Sequence, residues 1–101
     1  MNYHGVEIPE RKIARFCRRH HIRRLSLFGS ILREDFGPDS DVDMLVEFAR
    51  GHVPGLLRLA GMENEISEML GRKVDLRTPV ELSRHFRGEV LKDAQAQYVQ
   101  A

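Results

Sequence analysis

The sequence predicts an α/β domain, a small mixed sheet of about three strands packed with about four helices. Apolar residues recur at helical spacing in several segments, and short apolar runs bounded by glycine or proline lie between them. The two kinds of segment alternate along the chain, as they do when helices cover a sheet. At 101 residues the chain suits one domain, 1–101, near the lower end of what builds its own core.

Pro9 fits the first turn of a helix, where its missing N–H does no harm. Ile13, Phe16, Cys17 and His20 follow at helical spacing, so residues 9–21 read as the first helix, with Cys17 in the core. Arg23 to Phe28 is a short strand closed by Gly29, and Ser30 to Glu34 opens a short helix. Phe36-Gly37-Pro38-Asp39-Ser40 is a cluster of turn formers, in which Asp39 and Ser40 are assigned to the turn itself. Val42 to Phe48 is apolar apart from Asp43 and Glu47 and reads as the second strand, with Glu47 structural. Gly51 to Gly55 is loop.

Leu56, Leu59, Ala60, Glu63, Ile66 and Leu70 keep helical spacing and Gly71 is a natural stop, which predicts a helix over 55–70. Lys73 to Arg77 is the third strand, ended by Thr78-Pro79, with a short helical turn over 79–84. A final helix is expected from Phe86 to about Tyr98, its face of Phe86, Val90, Leu91 and Ala94 assigned to the core rather than to a partner.

Composition removes several function classes. No apolar run approaches the roughly 20 residues a membrane helix needs. The start, Met1-Asn2-Tyr3-His4, lacks the layout of a signal peptide. The sole cysteine cannot form an internal disulfide, and a cytoplasmic location is expected. A net charge of +1 gives no global field for nucleic acid, which is not expected as a partner. Arg11, Lys12, Arg15, Arg18, Arg19, Arg23 and Arg24 are read as a solvated basic face; the alternative is a docking surface for an acidic partner or RNA. His20-His21 has no ligand at zinc-site spacing. There is no GxxxxGK, and Gly29-Ser30 is not part of GxSxG.

The chemistry concentrates between Leu27 and Phe48. Gly29 permits a tight turn and a close backbone approach. Ser30 adds a hydroxyl beside the exposed N–H groups of a helix start, a site for phosphate. Arg33, about a turn further on, offers a forked donor to a phosphate oxygen. Asp41 and Asp43 lie two apart on a strand and point to one face. Two such carboxylates repel unless a cation sits between them, and magnesium, bound through one or two carboxylates plus substrate phosphates, fits that need. Asp75, flanked by Val74 and Leu76, is the third acid: if its strand adjoins that of Asp43, the carboxylates converge with room for two metal ions. It is also a candidate base for an incoming hydroxyl. The alternative reading of Asp75 is an ion-pair partner of Lys73 or Arg77.

Gly29-Ser30, ten intervening residues, then Asp41-Val42-Asp43 resembles the nucleotidyltransferase pattern of the DNA polymerase β superfamily, closest to its minimal (MNT) branch. Gly71-Arg72-Lys73-Val74-Asp75-Leu76 resembles the segment carrying that family's third carboxylate, and the likeness runs over about residues 10–95. The resemblance implies a polymerase β-like fold, ATP or a similar triphosphate held through Gly29 and Ser30, and magnesium at Asp41, Asp43 and Asp75. Stand-alone minimal members are commonly encoded beside a HEPN-domain ribonuclease and serve as its antitoxin, by transferring AMP to a tyrosine of the toxin or by binding it. The expectation is therefore a nucleotidyltransferase using ATP and two magnesium ions, with a HEPN-type toxin as acceptor and hetero-oligomeric partner. The competing expectation is a non-catalytic antitoxin that covers its partner. Transfer to RNA ends or a small molecule has only the basic face in its favour.

Overall fold

A computed structural model describes residues 2–82 and 84–101 of the chain. The element order is β1 (Asn2–Tyr3), β2 (Val6–Glu7), α1 (Glu10–Arg19), β3 (Ile22–Phe28), a 3₁₀ turn (Gly29–Leu32), β4 (Val42–Phe48), α2 (Leu56–Leu70), β5 (Val74–Arg77), a second 3₁₀ turn (Pro79–Glu81), α3 (Arg87–Asp93) and β6 (Gln95–Val99). The four-stranded sheet has the order β5-β4-β3-β6 and is mixed: β4 and β5 run parallel, while β3 is antiparallel to both β4 and β6. The parallel pair follows from the chain between them, because α2 carries it back to the start of the sheet.

One sheet face is covered by α1 and α2. Ile13, Phe16 and Cys17 of α1 and Met62 and Ile66 of α2 bury themselves against Leu25, Leu27, Val42, Met44, Val46, Val74 and Leu76. Strand side chains alternate between faces, so Asp43 and Asp75 project from the other side. Burial holds the Cys17 thiol in its protonated form, its pKa pushed up to about 12. No helix among the described residues is long and apolar enough to cross a membrane.

The α/β class and the mixed sheet hold, but the described residues form a four-stranded sheet, a small two-stranded one and three α-helices in place of the expected three strands and four helices, and several details differ. The expected final helix stops at Asp93, and Gln95–Val99 is instead an edge strand paired with β3. Its residues carry little strand pattern of their own, and pairing with the open edge of β3 makes them a strand. The face of Phe86, Val90, Leu91 and Ala94 is not core: Phe86 and Leu91 are both about half exposed. The segment after Gly29 is one 3₁₀ turn, Gly29–Leu32, rather than a helix over 30–34. The first residues form a hairpin, Tyr3 pairing with Val6 across His4 and Gly5, both at positive φ as a two-residue type I′ turn requires.

Edge strand β5 is fastened from outside the sheet. The Val74 N–H donates to Ser67 Oγ at 2.9 Å and the Leu76 N–H donates to Glu63 Oε2 at 2.8 Å. Ser67 and Glu63 are four apart on α2, one turn of the same face. They satisfy the N–H groups on either side of Asp75, which would otherwise form an open strand edge.

Candidate active site

The site is built where three strands end together. Phe28, the last residue of β3, is paired with Asp43 on β4, and Asp43 is paired with Asp75 on β5. The sequence left the adjacency of these two strands as a condition, and the parallel register brings Asp43 and Asp75 abreast. Asp41 sits one residue before β4 rather than on it, at the end of the Phe36–Ser40 turn. The bond from the Val42 N–H to the Lys73 carbonyl, 2.9 Å, draws this entry point against the start of β5.

Gly29 follows Phe28 with φ +76, a backbone that side chains rarely adopt. A Cβ built on it would stand 2.6 Å from Asp43 Oδ2. The glycine therefore lets the strand turn and lets a carboxylate lie against the bare backbone. Ser30 is half-buried beside it, its Oγ making a long 3.5 Å contact to the Asp41 carbonyl. A four-residue 3₁₀ turn carries no macrodipole of consequence, so donors for an anion here are single groups, the Ser30 hydroxyl and nearby N–H groups. Arg33 is exposed, pairs with Asp35 at 3.5 Å and lies within the electrostatic reach of Asp43.

Burial pushes the Asp43 carboxyl above its usual range, and the neighbouring Asp75 and Asp41 carboxylates push it further; Arg77 and Arg33 offset this in part. A half-buried acid crowded by two others is a place where a divalent cation lowers the energy. Asp41 is drawn toward Lys73, Nζ to Oδ2 3.8 Å. Among the described residues no three His, Cys, Asp or Glu side chains form a ready-made metal nest. The donor set fits a cation whose remaining ligands come from a bound phosphate or water, as magnesium sites commonly do.

The ion-pair reading of Asp75 does not hold for its two neighbours: Lys73 faces Asp41, and Arg77 faces Glu81 at 3.9 Å. On the other flank of Gly29 lies an open cleft of about 620 Å³, lined by Tyr3, Phe28, Gly29, Arg33, Phe86 and Val90 among others. The basic side chains of α1 are exposed as expected, with Arg19 paired to Glu65. His20 Nε2 meets Glu65 Oε1 at 3.0 Å; burial first, then Arg19, Arg58 and His21, lowers its pKa. Sequence reasoning did not single out Glu63, Ser67 or Arg72 for the site. Their roles depend on contacts 7 to 35 residues away, which no local pattern encodes.

Comparison with known proteins places the chain in a family. A family profile for the nucleotidyltransferase domain matches residues 10–97. A Methanocaldococcus jannaschii protein named "Putative protein adenylyltransferase" is 35% identical over 85 residues, 84% of this chain and 89% of that one. The protein adenylyltransferase MntA of Thermococcus cleftensis is 35% identical over 75 residues, 74% of each. Among solved structures, a "putative minimal nucleotidyltransferase" aligns with TM-score 0.69 at 33% identity, over 84% of this chain and 85% of the other. A toxin–antitoxin with AMP-PNP aligns with TM-score 0.73 at 20% identity (92% and 75%). A tri-AMPylated Shewanella oneidensis HEPN toxin in complex with MNT antitoxin aligns with TM-score 0.65, also at 20% (90% and 70%). Those last two show likeness of fold. The chain belongs to the nucleotidyltransferase domain family, as a member of its minimal, MNT type.

Proposed function

We propose that this protein transfers AMP from ATP to a hydroxyl of a partner protein, a tyrosine of a HEPN-type toxin, and acts as its antitoxin. The carrying observation is the side-by-side placement of Asp43 and Asp75, with Gly29 bare against the Asp43 carboxylate. The names of the relatives, protein adenylyltransferases, support the reaction class. The complexes of similar fold, one with AMP-PNP and one with an AMPylated HEPN toxin, support the donor and the partner.

Asp43 and Asp75, with Asp41 beside them, would hold magnesium. Bound there, the ion supplies charge neutralisation for the triphosphate and lowers the barrier to attack by a hydroxyl. The Ser30 hydroxyl and the backbone at Gly29 contact the phosphates, and Arg33 supplies positive charge at the outer edge. The cleft beside Gly29 has a volume in the range that accepts a nucleoside. The acceptor oxygen forms a bond to the α-phosphorus as the bond to pyrophosphate breaks in line. Asp75 takes the proton from the attacking hydroxyl.

The test is incubation of the protein with α-labelled ATP and the HEPN-type toxin encoded beside it. The toxin is expected to take up label, and Asp41→Asn with Asp43→Asn is expected to abolish it. Label that survives the double substitution rejects the assignment. A second reading, neutralisation by covering the toxin, has one observation in its favour: Val53, Leu56, Leu57 and Val80 are all at least 70% exposed. Protection of cells by the double variant at normal protein levels would select that reading.

A further inference from the structure

Asp41 reaches the site at the end of a turn, and that turn is fastened from elsewhere in the chain. Nη2 of Arg72 donates to the Gly37 carbonyl at 2.9 Å and to the Ser40 carbonyl at 2.6 Å. The same guanidinium lies over the Phe36 ring, 4.8 Å from its centroid. The three contacts span Phe36 to Ser40, the five residues immediately before Asp41. Within the turn itself the structure shows the Ser40 N–H donating to the Gly37 carbonyl at 3.1 Å and the Gly37 N–H donating to Ser40 Oγ at 3.0 Å. Phe36 is 8% exposed and also meets the His4 ring, at 5.5 Å, so Arg72 stacks on a ring that the rest of the fold holds in place.

The geometry selects arginine. One planar group bridges two carbonyls and covers an aromatic face at once; a lysine ammonium, a compact point donor, reproduces part of this. Both hydrogens of Nη2 are aimed at main-chain oxygens of the turn, which makes Arg72 a strut rather than a phosphate ligand. Arg72 lies next to Lys73, whose carbonyl takes the Val42 N–H and whose ammonium faces Asp41. The start of β5 therefore grips both sides of Asp41.

We propose that Arg72 is a positioning residue for Asp41: by pinning the Phe36–Ser40 turn to the start of β5, it fixes Asp41 relative to Asp43 and Asp75 and so sets the affinity of the site for its divalent cation. This rests on the reading of Asp41 as a cation ligand given above. Partners that orient ligands in this way typically change metal affinity 10- to 100-fold, about the size expected here.

The experiment titrates Mn²⁺ into the protein with AMP-PNP, follows bound metal by electron paramagnetic resonance, and records thermal melting on the same samples. The unsubstituted protein is expected to bind. Arg72→Ala is expected to weaken Mn²⁺ by about tenfold or more, with saturation recovered at high metal. Arg72→Lys is expected to fall between them. Should Arg72→Ala fail to fold, Arg72→Lys and Phe36→Leu, which removes the stacking ring, carry the test with the same intermediate loss. Folded variants that bind Mn²⁺ as tightly as the parent overturn the role of Arg72 alone. Loss that no metal concentration restores, in step with lost thermal stability, also overturns it, because that is a structural role. Absence of Mn²⁺ uptake by the parent protein overturns the reading of Asp41 underneath.

Discussion

Asp43 on β4 and Asp75 on β5 occupy directly paired positions on adjacent parallel strands. Parallel register and strand alternation put both carboxylates on the same face, opposite the face that α1 and α2 bury. Their closeness opposes ionisation of Asp43.

Asp43→Asn is expected to make the metal-free protein more stable while removing magnesium-dependent nucleotide binding. The asparagine keeps the shape and drops the half-buried charge that Asp75 and Asp41 oppose. Relief of such functional strain is commonly worth roughly 1 kcal/mol, or about 4–8 °C in melting temperature for a domain of this size. A melting temperature that falls by the same amount contradicts the account.

Magnesium is expected to raise the melting temperature at neutral pH and to lose this effect in acid. Burial first, then Asp75 and Asp41, raises the Asp43 pKa in the folded protein. Between the ordinary carboxylate value and the raised one, the folded chain keeps a proton that the unfolded chain has released. The contribution of this group to stability therefore falls as pH rises through that window. Above it Asp43 is ionised and the penalty is present in full, which is where a cation relieves it. Melting curves with and without magnesium, from acidic to mildly alkaline pH, measure the difference; a shift independent of pH contradicts it.

Gly29→Ala is expected to destabilise the fold by at least about 1 kcal/mol and to remove nucleotide binding. The added methyl meets Asp43 Oδ2 at 2.6 Å, and φ +76 disfavours any side chain. Gly51→Ala is the control: it has φ +84 with nothing within 4 Å of the new methyl, so it shares the backbone strain without the clash. Calorimetry on the two variants is expected to show nucleotide binding retained in Gly51→Ala only.

Glu63→Ala is expected to cost about 1–3 kcal/mol, because the Leu76 N–H loses a charged acceptor. Glu63→Gln retains an acceptor oxygen and is expected to recover most of the loss. Chemical denaturation measures both; equal stability for the alanine and glutamine variants would show that the bond to β5 contributes nothing.

The part of this site legible in the sequence is the part encoded locally. Gly29-Ser30 and the acids at 41, 43 and 75 stand on segments whose apolar runs and bounding glycines mark them as strands and turns. The bounds of β4, Val42–Phe48, agree with the sequence pattern residue for residue. What the sequence does not show is set at long range. Gln95–Val99 becomes a strand because β3 offers it an edge, and a five-residue stretch beginning with Gln-Ala-Gln has little strand character of its own. Glu63 reads as a polar residue within a helical pattern until the backbone N–H of Leu76 lies 2.8 Å away. Arg72 reads as a charge beside a strand until Gly37 and Ser40 are folded back against it.

Isothermal titration of ATP into the protein, with magnesium and then with a chelator, addresses the central claim most directly when repeated on the Asp43→Asn, Asp75→Asn double variant. The parent is expected to take up ATP only when magnesium is present, and the double variant to take up none under either condition. Equal uptake by the parent with and without the metal, or undiminished uptake by the double variant, would show that the paired carboxylates are not a cation site for nucleotide.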